Sequence, residues 1–243
     1  MRLVRDPREF LTDGLMTLAL IHVCAPATAA GDRLKVAKLL FVATYDLFKE
    51  RAKGFNYSFY RYSYGPFTTE LYETWEDLSW TGLLQVEPGP KGSISVTAKG
   101  RELADAFINE VLSDKVNEHF LLVMHKVQDL YAGDDTGTLL RKIYQMRVRP
   151  LGWEEVITVG EAPLGVHFTR ILDESEARTV VQVPTRWLRR LDAYRQSSRR
   201  EPAGIEPVIS DKVLDLIEEA LEAESRGEGR VVDVEEIRKR YGI

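Results

Sequence analysis

The chain has 243 residues, 44% of them hydrophobic and 29% charged, with a formal net charge of −5. That length and apolar content support a sizeable core and exclude a chain disordered throughout, while the negative balance excludes wholesale coating of nucleic acid or anionic membrane, so any such binding has to be local. The single cysteine, Cys24, excludes a disulfide framework or an intrachain thiolate zinc site, fits a reducing cytoplasm, and reads as a small buried apolar residue.

Arg2, Arg5 and Arg8 precede the apolar run GLMTLALIHVCAPATAA, a pattern that mimics a secretory leader. The local grammar favours a structural helix instead. Asp6 is an N-cap, Pro7 the first helical residue and Glu9 the N3 partner of a capping box. His22 and Pro26 break the run short of the roughly 20 apolar residues that a membrane span needs. Asp32 caps a second helix, RLKVAKLLFVATYDLFKERA, with Leu34, Ala37, Phe41, Tyr45 and Phe48 at helical spacing, Lys38, Lys49 and Lys53 facing away, and Gly54 closing it.

The aromatic stretch FNYSFYRYSYGPF follows, turning at Gly65-Pro66, with Tyr60, Tyr62 and Tyr64 on one side of a strand, a pattern that suits core packing or, as the alternative, an interface. A helix from Thr68 to Thr81 ends at Gly82, and LLQVEPGPKGSISVT forms two strands around the turn residues Pro88, Gly89, Pro90 and Gly92. AKGRELADAFINEVLSDK, NEHFLLVMHKVQDLYA and DTGTLLRKIYQMR are three further helices. The expected fold is mainly α with small β (α+β), with a winged-helix-like helical domain over residues 1–150 and a second segment over residues 151–243. In that second segment HFTRILDESEARTVVQVP alternates as a β-hairpin turning near Asp173 to Glu176, followed by the helices TRWLRRLDAYRQ and SDKVLDLIEEALEAES.

The segments KLLFVATYDLF, FYRYSYGPFTTELYETWEDLSWTGLLQ and SVTAKGRELAD together resemble the Panacea or SocA-like (YwgA-like) winged-helix proteins, over about residues 34–110. The YGPF turn is the more specific part. The resemblance implies an antitoxin that neutralises a toxin by direct contact. One departure is length: this chain continues well past the matching region.

The helix in the position of a reading helix carries the wrong charges for DNA. Leu71, Trp75 and Leu78 form its core stripe, leaving Thr69, Glu73, Glu76, Asp77 and Trp80 outward. Phosphate neutralisation requires Lys or Arg, so this face disfavours groove binding. Trp80 is either an interface anchor, a residue type enriched at hot spots, or a ring tucked beneath the wing. Glu73, Glu76, Asp77 and Trp80 are therefore the candidate protein-binding face.

Basic residues gather later, at Arg178, Arg186, Arg189, Arg190, Arg195, Arg199 and Arg200. Strand, helix, loop, helix is the order of a ribbon-helix-helix unit, a homodimer whose paired strands enter the major groove. Arg178 and Gln182 would face the bases, with Arg186, Arg189 and Arg190 beside them. The other reading is a solvated or partner-facing arginine surface. The tail, with Val232, Ile237 and Tyr241 as apolar anchors, resembles antitoxin C-termini that order on a partner, and folding back onto its own domain is the other reading.

Nothing in the sequence asks for catalysis, a metal or a cofactor. His119 and His125 lie six residues apart, about 120° round a helix, and do not form an i, i+4 zinc pair. Phosphate-loop, Rossmann and nucleophile-elbow patterns do not occur. An antitoxin-type protein binder and a DNA-binding transcriptional regulator remain the two readings.

Overall fold

The computed structural model describes residues 4–25, 31–87 and 92–199. It is mainly α with small β. Helix α1 (Pro7–Cys24) begins with the expected capping box: Asp6 Oδ1 accepts from the Glu9 N–H at 2.8 Å and Glu9 Oε2 from the Asp6 N–H at 2.9 Å. A short strand β1 (Gly31–Asp32) leads into α2 (Arg33–Lys49), with Asp32 as N-cap. After an inserted stretch comes α3 (Glu70–Trp80), and then the hairpin strands β5 (Leu84–Val86) and β6 (Ser93–Val96).

β6 pairs antiparallel with both β5 and β1, giving the strand order β1-β6-β5. A first strand between the first two helices that returns to pair with the far strand of the hairpin is the winged-helix arrangement. Helix α4 (Ala98–Phe107) closes it, capped by Thr97, and widens into one π-type turn over Ile108–Leu112. Gly100 in α4 is a close approach, because a Cβ there would sit 2.1 Å from the Leu83 carbonyl oxygen.

The insertion between α2 and α3 differs from the expected helix end. α2 stops at Glu50, Arg51 takes a left-handed conformation at φ 59°, and Gly54 is not its cap. Ala52–Lys53 then form strand β2, and the stretch from Phe55 to Phe59 runs buried beneath the core. Strands β3 (Tyr60–Tyr62) and β4 (Gly65–Phe67) pair around the YGPF turn. Tyr60 is half-buried, whereas Tyr62 and Tyr64 are exposed rather than packed in the core. Lys38 and Lys53, expected to face solvent, are buried at 2% and 5% exposure. α2 is enclosed on nearly every side, so it has no solvent stripe there for a lysine to occupy.

Helices α5 (Glu118–Val127) and α6 (Thr136–Gln145) follow, then a small ladder of β7 (Arg147–Val148) with β8 (Ile157–Thr158). The expected hairpin over residues 167–183 does not form. His167 to Thr169 pair instead with the Phe59–Tyr60 backbone, and β9 (Thr179–Val180) runs parallel to β2. The nearest alternating run in sequence loses to partners more than 100 residues away, with β2 buried and β9 left partly exposed. Helix α7 (Thr185–Arg199) then crosses α1, where Leu191 fills the notch at Gly14. Val181, Val183, Trp187 and Leu191 belong to the same hydrophobic core as Leu15, Leu103 and Phe107, so the packing runs across the boundary expected near residue 150.

Candidate protein-docking site

The outward face of α3 is held by elements far away in the chain. Its inner residues Leu71, Thr74, Trp75 and Leu78 are buried, and Glu73, Glu76 and Trp80 are exposed. Trp80 is 45% exposed, which places a large apolar ring among carboxylates in contact with water. It does not tuck away beneath the wing.

Two arginines organise this face. Arg5 is 4% exposed at its side chain and bonds Glu73 Oε2 at 2.8 Å, Asp13 Oδ2 at 3.2 Å and Thr74 Oγ1 at 3.1 Å. Arg195 on α7 bonds Asp77 Oδ1 at 2.5 Å. Both guanidinium groups lie 4.9 Å from the ring centre of Phe10, within the range of a cation–π contact. Glu76 has no ion pair among the described residues. Phe10, Glu73, Glu76, Asp77, Trp80 and Arg195 line an open groove of about 380 Å³ between α3 and α7. The groove offers an apolar floor and ring, one free carboxylate, and a second that Arg5 only partly neutralises.

Beneath the groove lies a polar network that the periodicity of α1 did not reveal. Asp13 is fully buried and accepts from the backbone and side-chain amides of Asn56 at 2.8 and 3.0 Å. Burial pushes its carboxyl up to about 7, against the pull of Arg5 and the Asn56 donors. Tyr57 shares its hydroxyl with Thr17 and Thr74, and burial raises its pKa. Glu70 reaches back to the Ser58 N–H at 2.7 Å, tying the start of α3 to the inserted stretch. One signal was legible: Asp13 interrupts an otherwise apolar run, and a charged residue on a buried helix needs a partner.

The basic candidates sit elsewhere. Arg178, Gln182, Arg186, Arg189 and Arg190 are all exposed. Arg186, Arg189 and Arg190 lie on the outer face of α7, opposite buried Trp187, Leu188 and Leu191. Arg186 approaches Glu110 at 3.4 Å, and Arg190 stacks over Trp187 at 5.1 Å. The strand before them is two residues long, and the chain already uses its backbone. Arg178 N–H donates to the Arg51 carbonyl, and both backbone groups of Gln182 bond the Asn117 side chain. Val232, Ile237 and Tyr241 lie outside the described residues.

The histidines are dispersed: His22 with Asp105 at 2.8 Å, His119 with Glu50 at 3.0 Å, His125 with Gln128 at 3.2 Å, and His167 against the Tyr60 ring. Among the described residues no group of three or more His, Cys, Asp or Glu is placed to hold a metal ion, and no helix is long and apolar enough to cross a membrane. Cys24 is buried, and burial pushes its thiol up to about 12. Comparisons with family models, with curated proteins and with solved structures find no significant match for this chain.

Proposed function

We propose that this chain is a stoichiometric protein-binding regulator of the antitoxin type, which docks its partner through the groove between α3 and α7. The observation that carries the reading is Trp80, exposed among Glu73, Glu76 and Asp77 in the place where a DNA-reading helix would present cations. A partner that offers a lysine or arginine beside an apolar side chain would meet Glu76 and the Trp80 ring together. The resemblance to Panacea-like proteins supports the toxin as that partner. Co-expression with the product of the neighbouring gene, followed by size-exclusion chromatography, tests the reading. Co-elution at a fixed ratio is expected, and separate elution of two folded proteins would count against it.

A second reading, operator binding that represses the chain's own operon, is favoured by one observation: Arg186, Arg189 and Arg190 line the outer face of α7, after a short strand flanked by the exposed Arg178 and Gln182. Replacing the three α7 arginines with glutamine would abolish a gel shift on the upstream DNA and flatten its salt dependence, because each lost phosphate contact lowers the slope by about 0.9. An unchanged shift removes α7 from any DNA contact.

A further inference from the structure

Two of the cations buried among the described residues meet counter-ions. Lys53 meets Glu9 Oε1 at 2.6 Å and Arg5 meets Asp13 at 3.2 Å. Lys38 and Arg61, 2% and 9% exposed, have no carboxylate partner among the described residues. Lys38 Nζ donates to the Pro66 carbonyl oxygen at 2.7 Å, and Arg61 Nη1 donates to the Tyr62 carbonyl oxygen. Arg61 Nε is buried with no acceptor at all.

The two groups converge on one place, the turn of the β3–β4 hairpin. Gly65 sits there at φ +91°, and a Cβ on it would lie 3.6 Å from Lys38 Nζ and 3.8 Å from the Tyr144 ring. The Arg61 guanidinium lies on that same ring, 5.0 Å from its centre. Burial, reinforced by Arg61, pushes the Lys38 ammonium down to about 7, and no carboxylate pulls it back. An uncompensated buried charge is costly, and two that repel each other more so. The exposed hairpin residues Tyr62 to Tyr64 place the pair just beneath the surface.

We propose that Lys38 and Arg61 form a binding site for a dianionic tetrahedral oxyanion, either phosphate or the phosphate ester of a small molecule, at the turn beside Gly65 and Tyr144. The charge argument selects the class. Two cations are balanced by a dianion, whereas a carboxylate would leave one charge unmatched. Two ammonium hydrogens of Lys38 and the Nε–H of Arg61 remain free to donate, and guanidinium geometry matches phosphate oxygens. Gly65 supplies the left-handed backbone, at φ +91°, that this turn takes beside the ammonium. The site is independent of the α3–α7 groove, so either proposal can fail without the other.

Thermal unfolding of the full chain in sodium phosphate, against sodium chloride of equal ionic strength, is the test. Phosphate at about 100 times its Kd should raise Tm by about 5–10 °C. Sodium acetate should add nothing beyond chloride. Phenyl phosphate exceeding inorganic phosphate would identify an ester as the ligand, and the reverse order the free ion. Lys38→Met and Arg61→Gln should each lose the phosphate increment. Lys38→Met in chloride should be no less stable than wild type, since an uncompensated charge is gone. If that variant does not fold, Arg61→Gln together with a ³¹P titration of wild type by inorganic phosphate decides. Phosphate also stabilises proteins non-specifically, so an equal increment in wild type and both variants would overturn the site, as would none in wild type.

Discussion

Replacing Arg5 by methionine is expected to lower the unfolding free energy by about 3–5 kcal/mol at pH 8, the cost of leaving a buried carboxylate without its partner. Arg5 is the cation nearest Asp13, and its guanidinium also holds Thr74, the Glu70 carbonyl and Glu73. The effect depends on pH in a defined direction. The folded Asp13 carboxyl, raised to about 7, holds its proton more tightly than the unfolded one. Its contribution in wild type is therefore full below about pH 4 and is lost as pH climbs through about 7. Removing Arg5 takes away a charge that pulls the Asp13 value down, so the variant ionises higher still. The deficit should be smallest at pH 5, where both folded chains carry a protonated Asp13, and should widen at pH 8. Urea unfolding at the two pH values measures this, and an equal deficit at both would contradict the pairing.

Trp187→Ala should cost about 3–5 kcal/mol, as truncation of a fully buried tryptophan does. Trp187 is 2% exposed and packs edge-on against Phe107 of α4, with ring centres 5.4 Å apart. Its neighbours Leu188 and Leu191 join the same core as α1. Because α7 carries no separate core among the described residues, the loss should appear as a lower midpoint of one cooperative transition that includes α1 to α4. A variant whose main transition is unmoved, with only a local change at α7, would show that residues beyond 150 fold on their own.

Short-range grammar made the winged-helix part legible. The Asp6-Pro7-Glu9 start, the Leu71-Trp75-Leu78 stripe and Gly82 at the end of α3 (φ +69°) depend on neighbours within one or two turns, and each was readable in order. The candidate face was readable too, since a charge pattern on one helix needs no tertiary knowledge. What the sequence hid was pairing over distance. Asp77 meets Arg195 across 118 positions, and Ala52 pairs with Thr179 across more than 120. Nothing local distinguishes those partners from solvent-facing neighbours, so a false hairpin over 167–183 looked equally good. Lys38 and Lys53 misled for a related reason. A helical wheel assigns lysine to water, but the elements packed round α2 leave it no wet face at Lys38, and Lys53 lies on a strand that β9 covers.

The exposed α3 face organises the functional account, and stability alone does not test it. Glu76 and Trp80 are exposed without an ion pair among the described residues, and Glu73, though paired with Arg5, keeps its side chain 68% exposed, so substituting the three should leave the protein folded. The direct measurement is the Kd for the product of the neighbouring gene, determined calorimetrically for wild type and for a chain carrying Glu73→Lys, Glu76→Lys and Trp80→Ala. A tryptophan anchor with two charges reversed beside it is expected to weaken binding by at least about 100-fold. A folded triple variant that binds within about threefold of wild type would contradict the claim that α3 docks a protein.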